Sequence, residues 1–214
     1  MFFLQRMILD GIQAIVFDLG GVVIDIDPAR AFQAMQKLAP TSVSVTDQFL
    51  EHHALFLDYE KGLTDDCAFR QGVRELIQRT DLADAAIDEA WCSMLLDVPA
   101  ARLQRLEQLK GKYRTFVLSN TNQIHVDAFN QMIRAASGQP KIDCFFEQVY
   151  YSHQLKMRKP EAQIYRHVLQ EQSFAPPEIL FLDDREDNLA AARAEGIRTQ
   201  LVTKERGLLE LFAA

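Results

Sequence analysis

Short, nearly continuous apolar runs separated by helical patterns are the feature that most constrains how this sequence can fold. Such runs are typical of strands that are buried on both faces of a parallel sheet. Four strong runs and one weaker run occur, at residues 14–17, 115–118, 179–182 and 199–202, and at residues 148–151. Helical patterns cover residues 126–136, 161–172, 186–194 and 205–212. The sequence therefore predicts an α/β fold built around a parallel sheet.

The long segment between the first two strong runs predicts an insertion. It contains no strand-like run, but amphipathic helical patterns occur at residues 28–38, 46–59, 65–79, 84–95 and 100–109. We expect residues 28–99 to form a small helical bundle that caps one end of the sheet. Residues 1–27 and 100–214 would then form a Rossmann-like core.

Composition and charge exclude several classes of partner. The net charge is −7 and no run of Lys or Arg forms a basic stripe, which argues against a nucleic-acid partner. No apolar stretch approaches the roughly 20 residues of a membrane span, and the first residues lack a basic leader. Three widely spaced cysteines, Cys67, Cys92 and Cys144, predict free thiols. We therefore expect a cytoplasmic protein without a membrane partner; the oligomeric state stays open.

Acidic residues follow two of the predicted strands, at the edge of the sheet where ligands of open α/β folds bind. Asp18 follows the first strand and could be a nucleophile, a metal ligand or a helix cap. Asp183 and Asp184 are adjacent, and two neighbouring carboxylates repel each other unless a cation or strong donors offset them. Mg²⁺ prefers such oxygen ligands, so the pair predicts a magnesium site, although Asp183 or Asp187 could also cap the next helix.

Two further segments carry polar residues suited to an anion. Ser119 and Asn120 follow the second strong run, where a hydroxyl and backbone amides could bind phosphate oxygens, although both residue types also form ordinary turns. Lys159 precedes Pro160, which holds it extended, so its ammonium could reach both the nucleophile and the phosphate. Taken alone a surface lysine is the commoner case, and Lys156 and Arg158 are expected to be solvated.

Together these motifs resemble the haloacid dehalogenase superfamily. They are, in order, Phe-Asp18-Leu-Gly-Gly-Val, Leu-Ser119-Asn-Thr, Arg-Lys159-Pro-Glu and Phe-Leu-Asp183-Asp184. The resemblance covers essentially the whole chain. It is greatest to the subgroup with a helical cap after the first strand, which includes sugar-phosphate phosphatases and the phosphatase domain of soluble epoxide hydrolase.

The resemblance implies a reaction and a role for each residue. The protein would be a magnesium-dependent phosphatase in which Asp18 forms an aspartyl-phosphate. Its substrate would be a small phosphorylated metabolite, with sugar phosphates as one candidate class. Ser119 and the Asn120 amide would hold the phosphoryl oxygens, and Lys159 would neutralise charge. Mg²⁺ would be held by Asp18, the Gly20 carbonyl and Asp184, with Asp183 close by.

One position departs from the pattern of many superfamily phosphatases. The residue two beyond the nucleophile is commonly a second Asp that serves as general acid and base, and here it is Gly20. Such a group typically contributes about 10² to 10⁴ in rate. Asp25 and Asp27 are local candidates to replace it, with helix capping the preferred role of Asp27. A good leaving group, such as an anomeric sugar phosphate or an acyl phosphate, would need the proton least.

Two alternatives remain from the residues and the resemblance. A 2-haloacid dehalogenase also uses an Asp nucleophile without the second Asp and needs no metal, but the Asp183–Asp184 pair argues against it. A non-catalytic binding or regulatory protein would not need Asp18, Lys159 and both late acids. We expect side chains of the cap to select the substrate. The candidates are His52, His53, Phe56, Tyr59, Arg70 and Trp91. Aromatic residues at helical spacing are, however, more often part of a hydrophobic core than substrate contacts.

Overall fold

The computed structural model describes residues 8–44 and 53–213. The described strands, in chain order, are β1 (Ala14–Phe17), β2 (Asp25–Ile26), β3 (Leu95–Asp97), β4 (Arg114–Ser119), β5 (Gln148–Tyr151), β6 (Ile179–Asp183) and β7 (Arg198–Leu201). The described α-helices are α1 (Pro28–Leu38), α2 (Ala54–Glu60), α3 (Asp66–Leu76), α4 (Asp84–Cys92), α5 (Ala100–Lys110), α6 (Gln123–Ser137), α7 (Ser152–Leu155), α8 (Ala162–Glu171), α9 (Glu186–Ala194) and α10 (Leu208–Leu211).

A five-stranded parallel sheet in the order β5-β4-β1-β6-β7 forms the centre of the molecule. Each predicted strand coincides with one of these strands to within a residue, so the predicted α/β fold is confirmed. Strand β1 lies between β4 and β6, and its last residue, Phe17, pairs with Val117 and Leu182. The carboxyl ends of these three strands therefore meet at one edge of the sheet.

Helices cover both faces of the sheet, which explains why the inner strands β1 and β6 are apolar almost throughout. On one face, Ile15 and Phe17 pack with apolar residues of α5 and α6, such as Leu106 and Phe129. On the other face, residues of α8 and α9 pack with alternate strand residues; the largest are Tyr165, Phe116 and Phe181. Successive strand residues point to opposite faces, so burial on both faces requires a continuous apolar run.

Helices α1 to α4 lie between β2 and β3 in the chain and share a second apolar cluster. Aromatic rings dominate it: Tyr59 stacks on Phe69 at a centroid distance of 4.0 Å, and Phe56 lies 5.2 Å from Trp91. Ile124 of α6 belongs to the same cluster, so these inserted helices pack against the sheet domain through apolar contacts as well. In the described chain no helix is long and apolar enough to cross a membrane.

The antiparallel pair β2 and β3 corrects the prediction that the inserted segment has no strand. These strands have two and three residues, and their side chains are half-buried or exposed, so they leave no apolar run to detect. The pattern at 84–95 extended one helix into β3, whereas α4 ends at Cys92. The predicted helix at 205–212 was also too long, since α10 covers Leu208–Leu211. Residues 46–52 of the helix predicted at 46–59 lie outside the described residues.

Candidate active site

A cavity of about 880 Å³ lies between the carboxyl edge of the sheet and the inserted helices. We call the strand-end side of this cavity the floor, which comprises Asp18, Ser119, Lys159, Asp183 and Asp184. Apart from the fully buried Asp183, these floor residues line the cavity directly, as do Gly20 and Asn120. We call the side formed by α1, α2 and α4 the roof, lined by Phe32, Phe56, Leu57, Glu60 and Trp91. The sequence-predicted residues thus meet around one cavity.

Lys159 is the central charged group of the floor. Its side chain is fully buried, and its Nζ lies 3.0 Å from Asp18 Oδ1 and 2.7 Å from Asp183 Oδ2. Burial alone would lower the pKa of Lys159, but the two carboxylates outweigh burial and raise the pKa. The lysine is therefore held as a cation between the two acids. A lysine considered alone at this position was expected to lie on the surface, whereas Lys159 is buried and paired.

Asp183 is held from every side. Its carboxylate accepts hydrogen bonds from the Asn188 side chain at 3.0 and 3.1 Å, from the Arg185 backbone N–H at 2.9 Å, and from Lys159. Both of its oxygens are thus engaged by donors of the protein. This arrangement suits a residue that fixes the lysine, and it meets the need for strong donors between two adjacent acids.

Asp18 lies in a low-dielectric position with its carboxylate at the cavity. Its Oδ1 accepts the Leu19 backbone N–H at 2.7 Å in addition to the Lys159 ammonium. Burial raises the pKa of Asp18 to about 7; Lys159 opposes this effect, and the negative charges of Asp183 and Asp184 add to it. A further cation at this site would favour the ionised form of Asp18.

The floor has the donor set of a divalent metal site. One carboxylate oxygen from each of Asp18, Asp183 and Asp184 lies within 4.8 Å of the others. Lys159 is the single ammonium bonded to this cluster among the described residues, so three acids face one compensating charge. Burial and the neighbouring Asp183 raise the pKa of Asp184, which shows the uncompensated charge. Hard carboxylate oxygens with excess negative charge fit Mg²⁺.

The turn after Asp18 requires a glycine at position 21. Gly21 has a φ of +72°, and a Cβ built there would lie 2.1 Å from Asp184 Oδ2. At Gly20, a Cβ would lie 2.8 Å from the Cδ1 atom of Ile26. A side chain at position 20 would therefore have to displace the end of the Ile26 side chain.

The side chain of Asn120 holds the Lys159 peptide, while the role implied by the resemblance concerns its amide and stays a prediction. Its Oδ1 accepts the Lys159 backbone N–H at 2.8 Å, and its Nδ2 donates to the Lys159 carbonyl at 2.9 Å. These two bonds hold the peptide that presents the lysine. A contribution of Asn120 to phosphate binding therefore falls to its backbone amide, next to the buried Ser119.

The two acids considered as replacements for the missing second Asp are both engaged. Asp27 accepts the Ala29 N–H at 3.2 Å and caps α1, as its preferred role predicted. Asp25 lines the cavity, where its carboxylate forms an ion pair with Arg102 at 2.7 Å.

The roof contains some of the predicted selectivity residues and not others. Phe56 and Trp91 line the cavity. His53 caps α2, Tyr59 donates its hydroxyl to Asp66, and Arg70 forms a two-bond pair with Asp88, so these three support the inserted helices. His52 lies outside the described residues.

Among the cavity residues, Arg158 was misjudged from the sequence and Glu60 was missed. Arg158, expected to be solvated, lines the cavity and forms an ion pair with Glu60 of α2 at 2.9 Å. Glu60 was not singled out at all. The available signal was that Glu60 is adjacent to Tyr59, a selected candidate. Its ion-pair partner, Arg158, lies 98 residues away in the chain, so the pairing itself left no local signal.

Comparisons with known proteins give a consistent result. A family model for haloacid dehalogenase-like hydrolases matches residues 12–196. The D-ribitol-5-phosphate phosphatase of Bacteroides thetaiotaomicron is 29% identical over 88% of this chain and 90% of its own length. A sesquiterpene phosphatase of Aspergillus oryzae is 26% identical over 86% of this chain and 87% of its own length.

A solved structure shares the fold closely. A haloacid dehalogenase family enzyme of Bacteroides thetaiotaomicron, crystallised with magnesium and inorganic phosphate, superimposes with a TM-score of 0.82 at 33% identity. The match covers 94% of this chain and 99% of that one.

Proposed function

The chain belongs to the haloacid dehalogenase-like hydrolases, and from this premise we propose that it is a magnesium-dependent phosphatase that hydrolyses a small phosphate monoester through the carboxylate of Asp18. The observation that carries the proposal is the buried Lys159 ammonium, bonded to both Asp18 and Asp183 at the bottom of the cavity. A nucleophile and a phosphoryl group are both anionic, and a fixed cation beside them offsets their repulsion. The related phosphatases and the structure with magnesium and phosphate support the same reaction.

In the proposed first step, an oxygen of Asp18 attacks phosphorus while the bond from phosphorus to the leaving oxygen breaks. The products are an aspartyl-phosphate and the leaving alkoxide, which takes a proton from solvent water to give the alcohol. Lys159 holds the Asp18 carboxylate in place and offsets charge on the phosphoryl oxygens, while Ser119 and the Asn120 backbone N–H bind those oxygens. In the second step, water attacks the same phosphorus, the acyl–phosphate bond breaks, and Asp18 and inorganic phosphate are released.

Asp18 and Asp184 are the residues we assign to hold Mg²⁺, with the Gly20 carbonyl as a further oxygen ligand. Asp183 is the less suitable direct ligand, because both its oxygens already accept hydrogen bonds from Lys159, Asn188 and the Arg185 backbone. We assign it instead to positioning Lys159. When bound, the cation would neutralise phosphoryl charge and keep Asp18 ionised.

The leaving alcohol must gain a proton, and no side chain of Gly20 can supply it. Apart from the nucleophile Asp18, the carboxylate nearest in sequence is Asp25, which is ion-paired with Arg102. The preference for an anomeric or acyl phosphate suggested by this absence has no support from the relatives, since the named substrate of one is an ordinary alcohol ester, D-ribitol 5-phosphate. We therefore do not restrict the proposed substrates to esters with good leaving groups.

The proposal is tested with para-nitrophenyl phosphate, with Mg²⁺ and with chelator, for the wild-type protein and Asp18→Asn. We expect magnesium-dependent hydrolysis that falls by at least about 10³-fold in Asp18→Asn, because the amide keeps the size of the side chain but is not a nucleophile. Wild-type turnover in Asp18→Asn would exclude the covalent mechanism. Chelator-resistant release of halide from 2-haloacids, without phosphatase activity, would instead indicate a dehalogenase.

A further inference from the structure

The roof of the cavity is apolar except at one point. Its aromatic residues, Phe32, Phe56 and Trp91, are buried and face the cavity together with aliphatic neighbours. Among the described residues of helices α1 to α4, Glu60 is the single charged residue that lines the cavity. A charge placed alone in an apolar wall is costly unless it is paired, so its position calls for an explanation.

Arg158, from the sheet domain, provides the pairing. Its Nη2 lies 2.9 Å and its Nε 3.1 Å from the same oxygen, Glu60 Oε2. About a quarter of each side chain remains exposed, 24% for Arg158 and 26% for Glu60. The pair therefore links the inserted helices to the segment that carries Lys159, and both of its residues line the cavity.

The pair retains unused hydrogen-bonding capacity. Only one of the two Glu60 carboxylate oxygens accepts a hydrogen bond within the described part of the chain. Arg158 uses Nε and one of its two terminal nitrogens, which leaves donors of the other. A free acceptor and a free donor on adjacent groups match an alcohol hydroxyl, which donates one hydrogen bond and accepts another.

We propose that Glu60 and Arg158 together bind a hydroxyl group on the leaving-group side of the substrate, and so select polyhydroxylated phosphate esters over alkyl or terpenoid esters of similar size. This inference rests on the proposed function. A hydrocarbon chain in the same place would cover the charged pair without replacing its hydrogen bonds to water, which opposes binding. The apolar roof would pack against the carbon skeleton of a polyol, and the Glu60–Arg158 pair would form hydrogen bonds with one of its hydroxyl groups.

The test compares two five-carbon esters, D-ribitol 5-phosphate and n-pentyl phosphate, which differ in the presence of hydroxyl groups. For the wild-type protein we expect kcat/KM to be at least about tenfold higher for the polyol ester. A higher kcat/KM for pentyl phosphate would overturn the inference without any variant. This comparison also covers the case in which a variant fails to fold.

Variants then assign the selectivity to the pair. Glu60→Met keeps the length of the side chain and removes the acceptor, so we expect kcat/KM to fall about 10- to 100-fold for ribitol 5-phosphate and by less than about threefold for pentyl phosphate. Arg158→Gln should act in the same direction, and Glu60→Gln should restore part of the loss. Equal losses on both esters would show a role in positioning Lys159 and would overturn the inference.

A neighbouring contact supplies the matched control. Lys61 and Glu161 form a second ion pair between the inserted helices and the sheet domain, and neither residue lines the cavity. Glu161→Gln should leave the ratio of kcat/KM for the two esters unchanged. If it changes the ratio as much as Glu60→Met does, docking of the inserted helices, and not the pair, determines selectivity, and the inference is wrong.

The proposed function and this inference fail in different ways. Magnesium-dependent hydrolysis of para-nitrophenyl phosphate without discrimination between the two esters would overturn the inference alone. No hydrolysis of any of the three esters would overturn both.

Discussion

The floor and the roof of the cavity are built by different physical means. The centre of the floor is a network of short hydrogen bonds among the buried charges of Asp18, Lys159 and Asp183. The roof consists of aromatic side chains held by packing, and Glu60, its one charged residue within the described ranges, is still partly exposed. Charged networks tolerate little displacement, whereas an apolar surface accepts changes of shape and size. We infer that the floor determines the reaction and the roof determines which ester is accepted.

Lys159→Met tests most directly whether the floor is the more constrained side of the cavity, and it has the largest expected effect. Removing a buried ammonium leaves Asp18 and Asp183 facing each other without their cation, which typically costs about 3–5 kcal/mol of unfolding free energy. We expect kcat to fall by at least about 10³-fold as well. Urea unfolding and para-nitrophenyl phosphate hydrolysis measure the two effects.

Lys156→Met is the control for that variant. Lys156 lies three residues earlier and its ammonium bonds the backbone carbonyl of Gly62, outside the buried charge network, so its loss should change stability by less than about 1 kcal/mol. Similar effects of the two substitutions would show that the floor is no more constrained than the surface.

The second prediction concerns Gly21→Ala. A positive φ disfavours any Cβ by about 1–2 kcal/mol, and here the Cβ would also meet Asp184 at 2.1 Å. We expect stability to fall by about 2–3 kcal/mol and kcat by at least about 10²-fold, because Asp184 must move.

Gly138→Ala separates the two causes. Gly138 ends α6 with a φ of +77°, and no heavy atom lies within 4 Å of the position that a Cβ would take, so this variant carries the backbone cost without the contact. The free energy of unfolding of Gly138→Ala should fall by about 1 kcal/mol, and its kcat should be unchanged. A Gly21→Ala enzyme as active as Gly138→Ala would contradict the assigned role of Asp184.

The third prediction addresses the junction of floor and roof. His125 of α6 stacks on Trp91 of α4 at 4.8 Å, and its Nε2 lies 3.2 Å from the Trp91 carbonyl oxygen. Burial lowers the pKa of His125 to about 4, and the bond to the Trp91 carbonyl opposes that effect only in part. The folded state therefore holds a neutral imidazole.

Because the pKa of this histidine is near 6.5 when unfolded, the unfolded chain binds the proton first as the pH falls. Stability is fully present above about pH 6.5 and decreases toward pH 4, with about 2 kcal/mol lost between about pH 7.5 and about pH 5 from this residue. Urea unfolding at both pH values should show a smaller loss in His125→Gln. An equal loss in both proteins would mean that the junction does not carry this pH dependence.

The smallest expected effect is that of Asp25→Asn. Its ion pair with Arg102 is partly exposed, so we expect a stability loss below about 1 kcal/mol. If the carboxylate does not replace the missing general acid, kcat for an alkyl phosphate should fall by less than about threefold. A fall of about 10² or more, confined to esters with poor leaving groups, would instead identify Asp25 as the proton donor.

Most of the fold could be predicted because its signal is local. A strand buried on both faces is apolar at nearly every position, so β1, β6 and the middle of β4 are visible in the sequence. Strands β2 and β3 are short and partly exposed, and their pairing joins residues about 70 positions apart, so no local pattern marks them. The same argument explains why the helix predicted at 84–95 extended past the end of α4.

Within the site, residue types could be predicted and contacts could not. Asp18, Ser119, Asp183 and Asp184 stand directly at strand ends, where topology alone brings them together. The bonds from the Asn120 side chain to the Lys159 backbone depend on how two loops meet, and nothing in either segment indicates them.

The sequence alone determined which residues end the strands, because burial imposes a pattern on each strand separately and the chain must turn where that pattern stops. It also determined the chemistry available there, an excess of carboxylates with one constrained lysine. Only the tertiary structure decided how those groups are partnered: Asp183 toward Lys159, Asp184 toward the cavity, and Glu60 toward Arg158 across 98 residues of chain. Hydrogen bonds and ion pairs act over a few ångströms in space, and separation along the chain carries no information about that distance.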